Sequence, residues 1–220
     1  MRILGFETST RRGSVALLEA DQVIASLTHD QPKSHAEAML PLMTRLLADA
    51  GWSKNSLDRL GVGLGPGSFT GLRVGIALAD GISLGLDRPL IGIPSLRAMV
   101  EGPLSAGRGP CAAVLDAHRD ELFVAVFASD RELCPASVVA RAGLASFLLA
   151  HAVEAVVGAD ADGNTGDVPY LRGEDLDLPH AGRIAQLTGR ADPHSSAQPI
   201  YVRGAGATLP TLPRSPLEQA

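Results

Sequence analysis

The chain is poor in lysine and in cysteine, and each of these shortages argues against a class of protein. Lys33 and Lys54 are the only lysines, and the formal net charge is −5, so no basic patch that would hold nucleic acid unaided is visible. Cys111 and Cys134 are too few for a disulfide framework and do not form a C-x-x-C pair. Any contact with RNA is therefore expected to be shared with a partner.

Long hydrophobic segments are also scarce. No charged region followed by an apolar segment opens the chain, and the most apolar stretch, residues 74–86, is short and contains Asp80. We therefore expect a soluble, cytoplasmic protein with no membrane segment. At 220 residues, the chain is long enough for one large domain or two small ones with a real core.

The pattern of the first half of the chain predicts five strands and two helices, with the last two strands placed around the second helix. The predicted strands are residues 2–6, 14–18, 22–28, 60–64 and 90–93, and the predicted helices are 34–51 and 70–86. Ser34 and Glu37 have the spacing of a capping box, and Pro41 predicts a kink or a late start of the regular helix.

The second half repeats this order. Residues 111–127 have the pattern of strand, polar turn and strand, which places Asp116 where Glu7 stands in the first half. A helix at 144–152, a strand at 155–157 and a helix at 180–189 continue the order. Self-similarity within one chain indicates duplication, and two such units would form two α/β lobes with a cleft between them. We predict lobes at residues 1–103 and 104–203, followed by a disordered tail at 204–220.

The glycine-rich segment that joins the strand at 60–64 to the next helix is the most informative motif. Gly65, Gly67 and Ser68 lie in a turn that lets the backbone approach whatever sits above it, and the helix presents free N–H groups there. The segment could bind an anion, or it could simply pack tightly.

Glu7-Thr8-Ser9-Thr10 lies on the first predicted hairpin turn. The carboxylate could hold a hydrated cation, and the hydroxyls could donate hydrogen bonds to phosphate oxygens. Equally, the hydroxyls could satisfy their own backbone. These four residues, together with Gly65, Gly67 and Ser68, are the candidates for a site close to a nucleotide or phosphate.

Metal and serine-hydrolase sites are not predicted. None of the histidines forms the H-E-x-x-H or H-x-x-x-H spacing that places two imidazoles on one helix face. Ser68 lacks the G-x-S-x-G spacing of a nucleophile elbow.

Gly71, Gly75 and Ala79 recur every fourth residue on the helix that follows the glycine-rich turn. They form a side-chain-poor stripe that another helix can approach closely. Glycine inside a helix costs roughly 1 kcal/mol relative to alanine, so the close contact must offset this cost. The spacing alone leaves open whether the contact lies inside the chain or in an intersubunit helix bundle.

Several segments together resemble the TsaB (YeaZ) family, which is needed to make threonylcarbamoyladenosine at position 37 of tRNA. They are residues 1–9, 34–41, 65–75, 89–96, 115–119 and 199–203. The resemblance implies an α/β fold of the actin/Hsp70-like (ASKHA) type, with two duplicated RNase H-like lobes and mixed sheets.

The resemblance also implies a function. It implies a non-catalytic subunit that binds and activates the transferase TsaD, for threonylcarbamoyl transfer to adenosine 37 of tRNAs reading ANN codons. The implied partners are TsaD in a heterodimer, TsaE in a larger complex and tRNA through that complex, with a homodimer when no partner is present. The chain alone would require no cofactor, while ATP or ADP and Mg could lie at or near the partner interface. Ser95 and Met99 stand where TsaD has its two metal histidines, and neither side chain replaces imidazole.

In the family the first two helices contact the partner. The residues predicted at this interface are His35, Met39, Leu42, Met43, Leu46, Gly71, Leu72, Gly75 and Ala79. Family members commonly have Asp at the end of the first strand, so Glu7 weakens the expectation of nucleotide binding. The alternative function is an ATP-dependent, kinase-like phosphotransferase that would use Glu7, Asp116 and the glycine-rich turn.

Overall fold

A computed structural model describes residues 1–30, 35–129, 131–193 and 197–202. Two features expected from the sequence, the capping residue Ser34 and the tail 204–220, lie outside the described residues.

The first lobe is built on a mixed five-stranded sheet with the order β3-β2-β1-β4-β5. Its strands are β1 (Arg2–Glu7), β2 (Gly13–Glu19), β3 (Gln22–His29), β4 (Arg59–Gly63) and β5 (Leu90–Ile93). β1 runs antiparallel to β2 and parallel to β4. Because β1 and β4 run in the same direction, their carboxyl ends bring Glu7 beside the glycine-rich turn.

The second lobe repeats this arrangement in a four-stranded sheet with the order β8-β7-β6-β9. Its strands are β6 (Cys111–Asp116), β7 (Glu121–Ala128), β8 (Arg131–Ala140) and β9 (Ala155–Val157). β6 runs antiparallel to β7 and parallel to β9, as β1 does to β2 and β4. The predicted duplication is thereby confirmed, and Asp116 ends β6 as Glu7 ends β1. Strand β8 was not predicted because Pro135 interrupts it, as edge strands allow.

The helices follow the predicted order with two additions, at Ser95–Ser105 and at Glu174–Asp177. They are α1 (His35–Asp49), α2 (Phe69–Leu86), α3 (Ser95–Ser105), α4 (Leu144–Ala150), α5 (Glu174–Asp177) and α6 (Ala181–Arg190). α1 begins at His35 and includes Pro41, so the regular helix does not start late. α3 was not predicted, because Gly102 and Pro103 disfavour a helix there.

Two helices pack on the sheet of the other lobe. α3 lies against β6 and β7, whereas α6 lies against β1, β2 and β4. Glu101 on α3 is buried and accepts a hydrogen bond from Arg190 of α6 at 2.7 Å, which ties the two crossing helices together. These contacts connect the two predicted lobes, residues 1–103 and 104–203. The division of the chain at this point remains a prediction.

Helices α1 and α2 cover the other face of the first sheet. Their inner residues share one hydrophobic core with β1, β2 and β4, in which Met39, Leu46 and Ala79 meet Leu4 and Phe6. The two helices therefore have one face in the core and one face turned away from it.

Candidate functional site

The glycine-rich turn closes directly on the first hairpin turn. The Ser68 N–H donates to the Ser9 carbonyl at 2.7 Å, and Ser68 Oγ caps α2 by accepting from the Gly71 N–H at 3.1 Å. A side chain at Gly67 would collide with the Ser9 carbonyl oxygen, and one at Gly71 with the Thr8 carbonyl oxygen. Glycine is needed at both positions because the glycine-rich turn and the start of α2 touch the backbone of the first hairpin turn. This contact supports the interpretation that the motif packs tightly within the chain.

Glu7 is completely buried, and both of its carboxylate oxygens are occupied. Oε1 accepts from the Ser9 N–H at 2.6 Å, and Oε2 accepts from the Ser95 hydroxyl at 2.7 Å. The Ser95 oxygen accepts in turn from the Gly65 N–H at 3.0 Å. Burial raises the pKa of Glu7, although hydrogen bonds from Ser9 and Ser95 oppose this shift. The carboxyl group thus joins β1, the glycine-rich turn and the start of α3.

The hydroxyl groups beside Glu7 are enclosed by the protein. Thr8 Oγ1 and Ser9 Oγ are buried, and neither has a hydrogen-bond partner among the described residues. Thr8 Oγ1 lies so close to Gly75 of α2 that any side chain there would collide with it. Thr10 Oγ1 is engaged with the backbone of Arg12, from which it accepts a hydrogen bond at 3.3 Å. The structure therefore brings the predicted residues together, but they contact one another.

This arrangement does not fit a nucleotide phosphate or a magnesium ion. The carboxylate oxygens are engaged, the hydroxyls are enclosed, and the glycine-rich turn rests on protein backbone. A cavity of about 580 Å³ lies elsewhere, between β3 and helices α5 and α6. Within the described ranges, no three or more His, Cys, Asp and Glu side chains gather as metal ligands. ATP or ADP and Mg near a partner interface stay a prediction.

The corresponding hairpin turn of the second lobe has a different environment. Asp116 is partly exposed, with Oδ1 3.3 Å from Arg141 Nη2 and Oδ2 2.9 Å from His118 Nδ1. His118, Arg119 and Asp120 all have positive φ angles, so the turn is left-handed over consecutive residues. A guanidinium beside Asp116 opposes cation binding there. The acid pair required by the kinase-like alternative therefore consists of one enclosed and one ion-paired carboxylate.

Most residues predicted at the partner interface are buried in this chain, and their role at an interface stays a prediction. The buried ones are His35, Met39, Met43 and Leu46 on α1 and Gly71, Leu72, Gly75 and Ala79 on α2; Leu42 is half-buried. The stripe at Gly71 and Gly75 packs on Thr8, inside the chain. A partner that meets these helices must use their opposite faces.

The opposite face of α2 is apolar, poor in side chains and open. A Cβ added at Gly81 or Gly85 would meet no atom of the described residues within 4 Å. Leu84, between them, is 76% exposed. In the part of the chain that is described, α2 is the one helix long and apolar enough to cross a membrane by length and composition, and 22% of it is buried. The spacing of Ala77, Gly81 and Gly85 is the sequence signal for this face, which we call the outer face of α2.

An aromatic cluster lies at the first turn of α2. The Phe69 ring, 55% exposed, packs against Tyr201 with centroids 5.5 Å apart, and the Arg73 guanidinium lies 4.4 Å from the centre of the Phe69 ring. The Ile200 N–H donates to the Leu64 carbonyl, which holds Tyr201 beside the glycine-rich turn. Tyrosine and arginine are the residue types enriched at the energetic centres of protein interfaces.

Comparisons with known proteins agree with this description. The family model for TsaD, tRNA N6-adenosine threonylcarbamoyltransferase, matches residues 22–143, which is more than half of the chain. The TsaB protein of Escherichia coli is 36% identical over 131 residues, covering 59% of this chain and 56% of that protein. The chain therefore matches about half the length of this curated relative.

Solved structures extend the likeness to nearly the whole chain. YeaZ from Pseudomonas aeruginosa superposes with a TM-score of 0.76 at 27% identity, covering 91% of this chain and 99% of that one. The ethanolamine utilization protein EutJ from Carboxydothermus hydrogenoformans shares the fold alone, with a TM-score of 0.57 at 10% identity and coverage of 86% and 90%.

The duplicated lobes, the crossing helices and these superpositions define a protein of the actin/Hsp70-like class. Within that class, the chain belongs to the TsaB (YeaZ) family, inside the wider group that the TsaD model describes.

Proposed function

We propose that this chain acts in the biosynthesis of threonylcarbamoyladenosine in tRNA, as a non-catalytic, cytoplasmic subunit that binds and activates a TsaD-type transferase. The relative from Escherichia coli is named a tRNA threonylcarbamoyladenosine biosynthesis protein. The family model that matches this chain is named after the transferase itself. A partner of the same fold is therefore the first candidate.

The outer face of α2 is the observation that carries the proposal. An exposed apolar side chain such as Leu84 on a side-chain-poor helix face is typical of an interaction site, and Gly81 and Gly85 leave room for another helix to approach closely. Arg73 and Asp80 are exposed on the same helix, and both charges are costly in hydrocarbon. The charges favour a protein partner over a lipid bilayer.

A paralogous partner would meet this face with its own first two helices. Two copies of one fold can pack such helices around an approximate two-fold axis, and a homodimer would cover the same face when the transferase is missing. TsaE would join the heterodimer, and tRNA would be contacted through the complex, in keeping with the low lysine content and net charge of −5.

The state of the hairpin site supports a non-catalytic role. Glu7 is enclosed by Ser9 and Ser95, and the glycine-rich turn is filled by the backbone of Thr8 and Ser9. Activation would then come from contact alone, because a subunit that binds the active conformation of the transferase better shifts its population toward that conformation. The ANN-codon tRNAs would be selected by the whole complex.

Reconstitution tests the proposal. A TsaD transferase, TsaE, tRNA and the threonylcarbamoyl-adenylate donor are incubated with and without this chain, and the modified nucleoside is measured. We expect modification only when the chain is present and no ATP hydrolysis by the chain alone. Equal modification without the chain would contradict the proposal, and ATP turnover by the chain alone would favour the kinase-like alternative.

A further inference from the structure

A pair of histidines joins the start of α1 to the end of β3 and to the first hairpin turn. His35 Nδ1 lies 2.9 Å from His29 Nε2, and His35 Nε2 lies 2.9 Å from the Thr10 carbonyl oxygen. His35 is 4% exposed, and the two rings meet edge to face with centroids 4.8 Å apart. A side chain at Gly13 would collide with the His29 ring, so the pair rests directly on β2.

The hydrogen-bond chemistry determines where the protons are. A carbonyl oxygen can only accept, so His35 Nε2 carries a hydrogen. In neutral His35, Nδ1 is then an acceptor, and His29 Nε2 must be the donor. Neutral His29 is left with a bare Nδ1, which is buried and has no partner within the described part of the chain. Each N–H group of the neutral pair therefore has an acceptor.

Among the described residues, an added proton has no acceptor in this arrangement. Protonation of His29 would place an N–H at its buried Nδ1. Protonation of His35 would turn its Nδ1 into a donor, so the His29 proton would have to move from Nε2 to the buried Nδ1 of His29. If both rings were protonated, the N–H of His35 Nδ1 and the N–H of His29 Nε2 would face each other. A buried donor without an acceptor is costly, so acid disfavours the pair.

Nearby charges do not remove this cost. Asp30 follows β3, and its carboxylate lies 3.2 Å from the guanidinium of Arg12 on the first hairpin turn. Arg12 also lies 3.9 Å from Glu174 at the start of α5. Gly71 of α2 lies beside the His35 ring, and Glu37 on α1 is exposed. Burial and His35 lower the pKa of His29, while Asp30 opposes that shift.

We propose that His29 and His35 form a pH-sensitive latch, which holds the start of α1 against the first hairpin turn when both rings are neutral and releases it when they are protonated. The latch itself is a property of this chain alone. Its consequence, that acid weakens the surface presented to a transferase, rests on the proposed function.

The sign of the effect follows from linkage. The folded pKa of His29 is below the ordinary value of 6.5, so the unfolded chain takes up a proton first as the pH falls. The stability that the neutral pair contributes is therefore complete above that ordinary value and is lost as the pH falls through the lower, folded pKa.

Hydrogen exchange of the isolated chain tests the latch. Protection factors of the amides of Met39, Leu40 and Leu42 are compared between about pH 7.5 and about pH 5.5, a range that spans the ordinary histidine pKa. His29→Gln keeps an N–H donor for His35 but cannot titrate, and His151→Gln, in the second lobe, is the matched control. We expect the wild type and His151→Gln to lose protection in acid and His29→Gln to keep it.

Equal loss in the wild type and His29→Gln, or no loss in the wild type, would overturn the latch. If His29→Gln does not fold, long-range ¹⁵N–¹H NMR of the wild type decides the matter. The latch requires the His29 proton on Nε2 at neutral pH, and a proton on Nδ1 would contradict it. Neither measurement uses a partner protein. The latch can therefore be confirmed even if the proposed function is wrong, and it can be contradicted even if the proposed function is right.

Discussion

Gly75 and Gly81 are both glycines of helix α2, but their surroundings are opposite. A Cβ at Gly75 would collide with Thr8 Oγ1, whereas a Cβ at Gly81 would meet no atom of the described residues within 4 Å. The inner glycine is needed for this chain to fold. The outer one costs roughly 1 kcal/mol of helix stability relative to alanine, and no close contact with the described part of the chain offsets this cost. Glycines spaced along a helix thus indicate that another segment approaches the helix closely. Only the fold shows whether that segment belongs to the same chain or to a partner.

The largest expected effect comes from filling the inner position. Gly75→Leu should unfold the isolated chain or lower its free energy of unfolding by about 3 kcal/mol, because the added side chain would collide with Thr8 of the first hairpin turn. Urea denaturation followed by circular dichroism measures this effect. A transition like that of the wild type would show that the inner face is not packed as described.

The same substitution at the outer position should separate binding from folding. Gly81→Leu should leave the free energy of unfolding within about 1 kcal/mol of the wild-type value, because the site is open and leucine favours helix. Its affinity for a TsaD transferase should fall at least about tenfold, or 1.4 kcal/mol, measured by calorimetry. Gly81→Ala is the matched control, since a methyl group should weaken binding less. Undiminished binding by Gly81→Leu would move the interface off this face.

The hairpin beneath the inner face gives a pH-dependent prediction. The folded pKa of Glu7 is raised above 4.5, so the folded chain keeps a proton that the unfolded chain releases as the pH rises. The free energy of unfolding should therefore fall from pH 4.5 up to the folded pKa, relative to Glu7→Gln, which cannot ionise. Denaturation of both chains across this range checks the sign. Parallel pH profiles would show that the Glu7 pKa is not raised.

The smallest effect is expected for Thr8→Val at the contact with Gly75. Thr8 Oγ1 is buried without a partner among the described residues, so its removal should leave stability unchanged or raise it by up to about 1 kcal/mol. Thermal unfolding measures the change. A clear loss of stability would mean that the hydroxyl has a partner after all.

Much of the fold could be predicted from the sequence because both lobes repeat one order of strands and helices. Glu7 and Asp116 mark equivalent turns in the two sheets. Helix α3 and strand β8 were missed because Pro103 and Pro135 lie within them, and tertiary contacts outweigh that local preference.

The candidate site was predicted less well, for a physical reason. The residues around Glu7 come together as expected, but the sequence could not show that Ser9 and Ser95 would enclose its carboxyl group. The orientation of α2 was equally hidden, because small residues recur on both of its faces. The contacts of Gly71 and Gly75 with Thr8 show which face lies inside.

The most direct test of the central claim is tRNA threonylcarbamoylation by a TsaD transferase with TsaE, with increasing amounts of either the wild-type chain or folded Gly81→Leu. If the outer face of α2 is the activating surface, the wild-type chain should stimulate modification and Gly81→Leu should not do so at the same concentrations. Equal stimulation by both chains would contradict the claim.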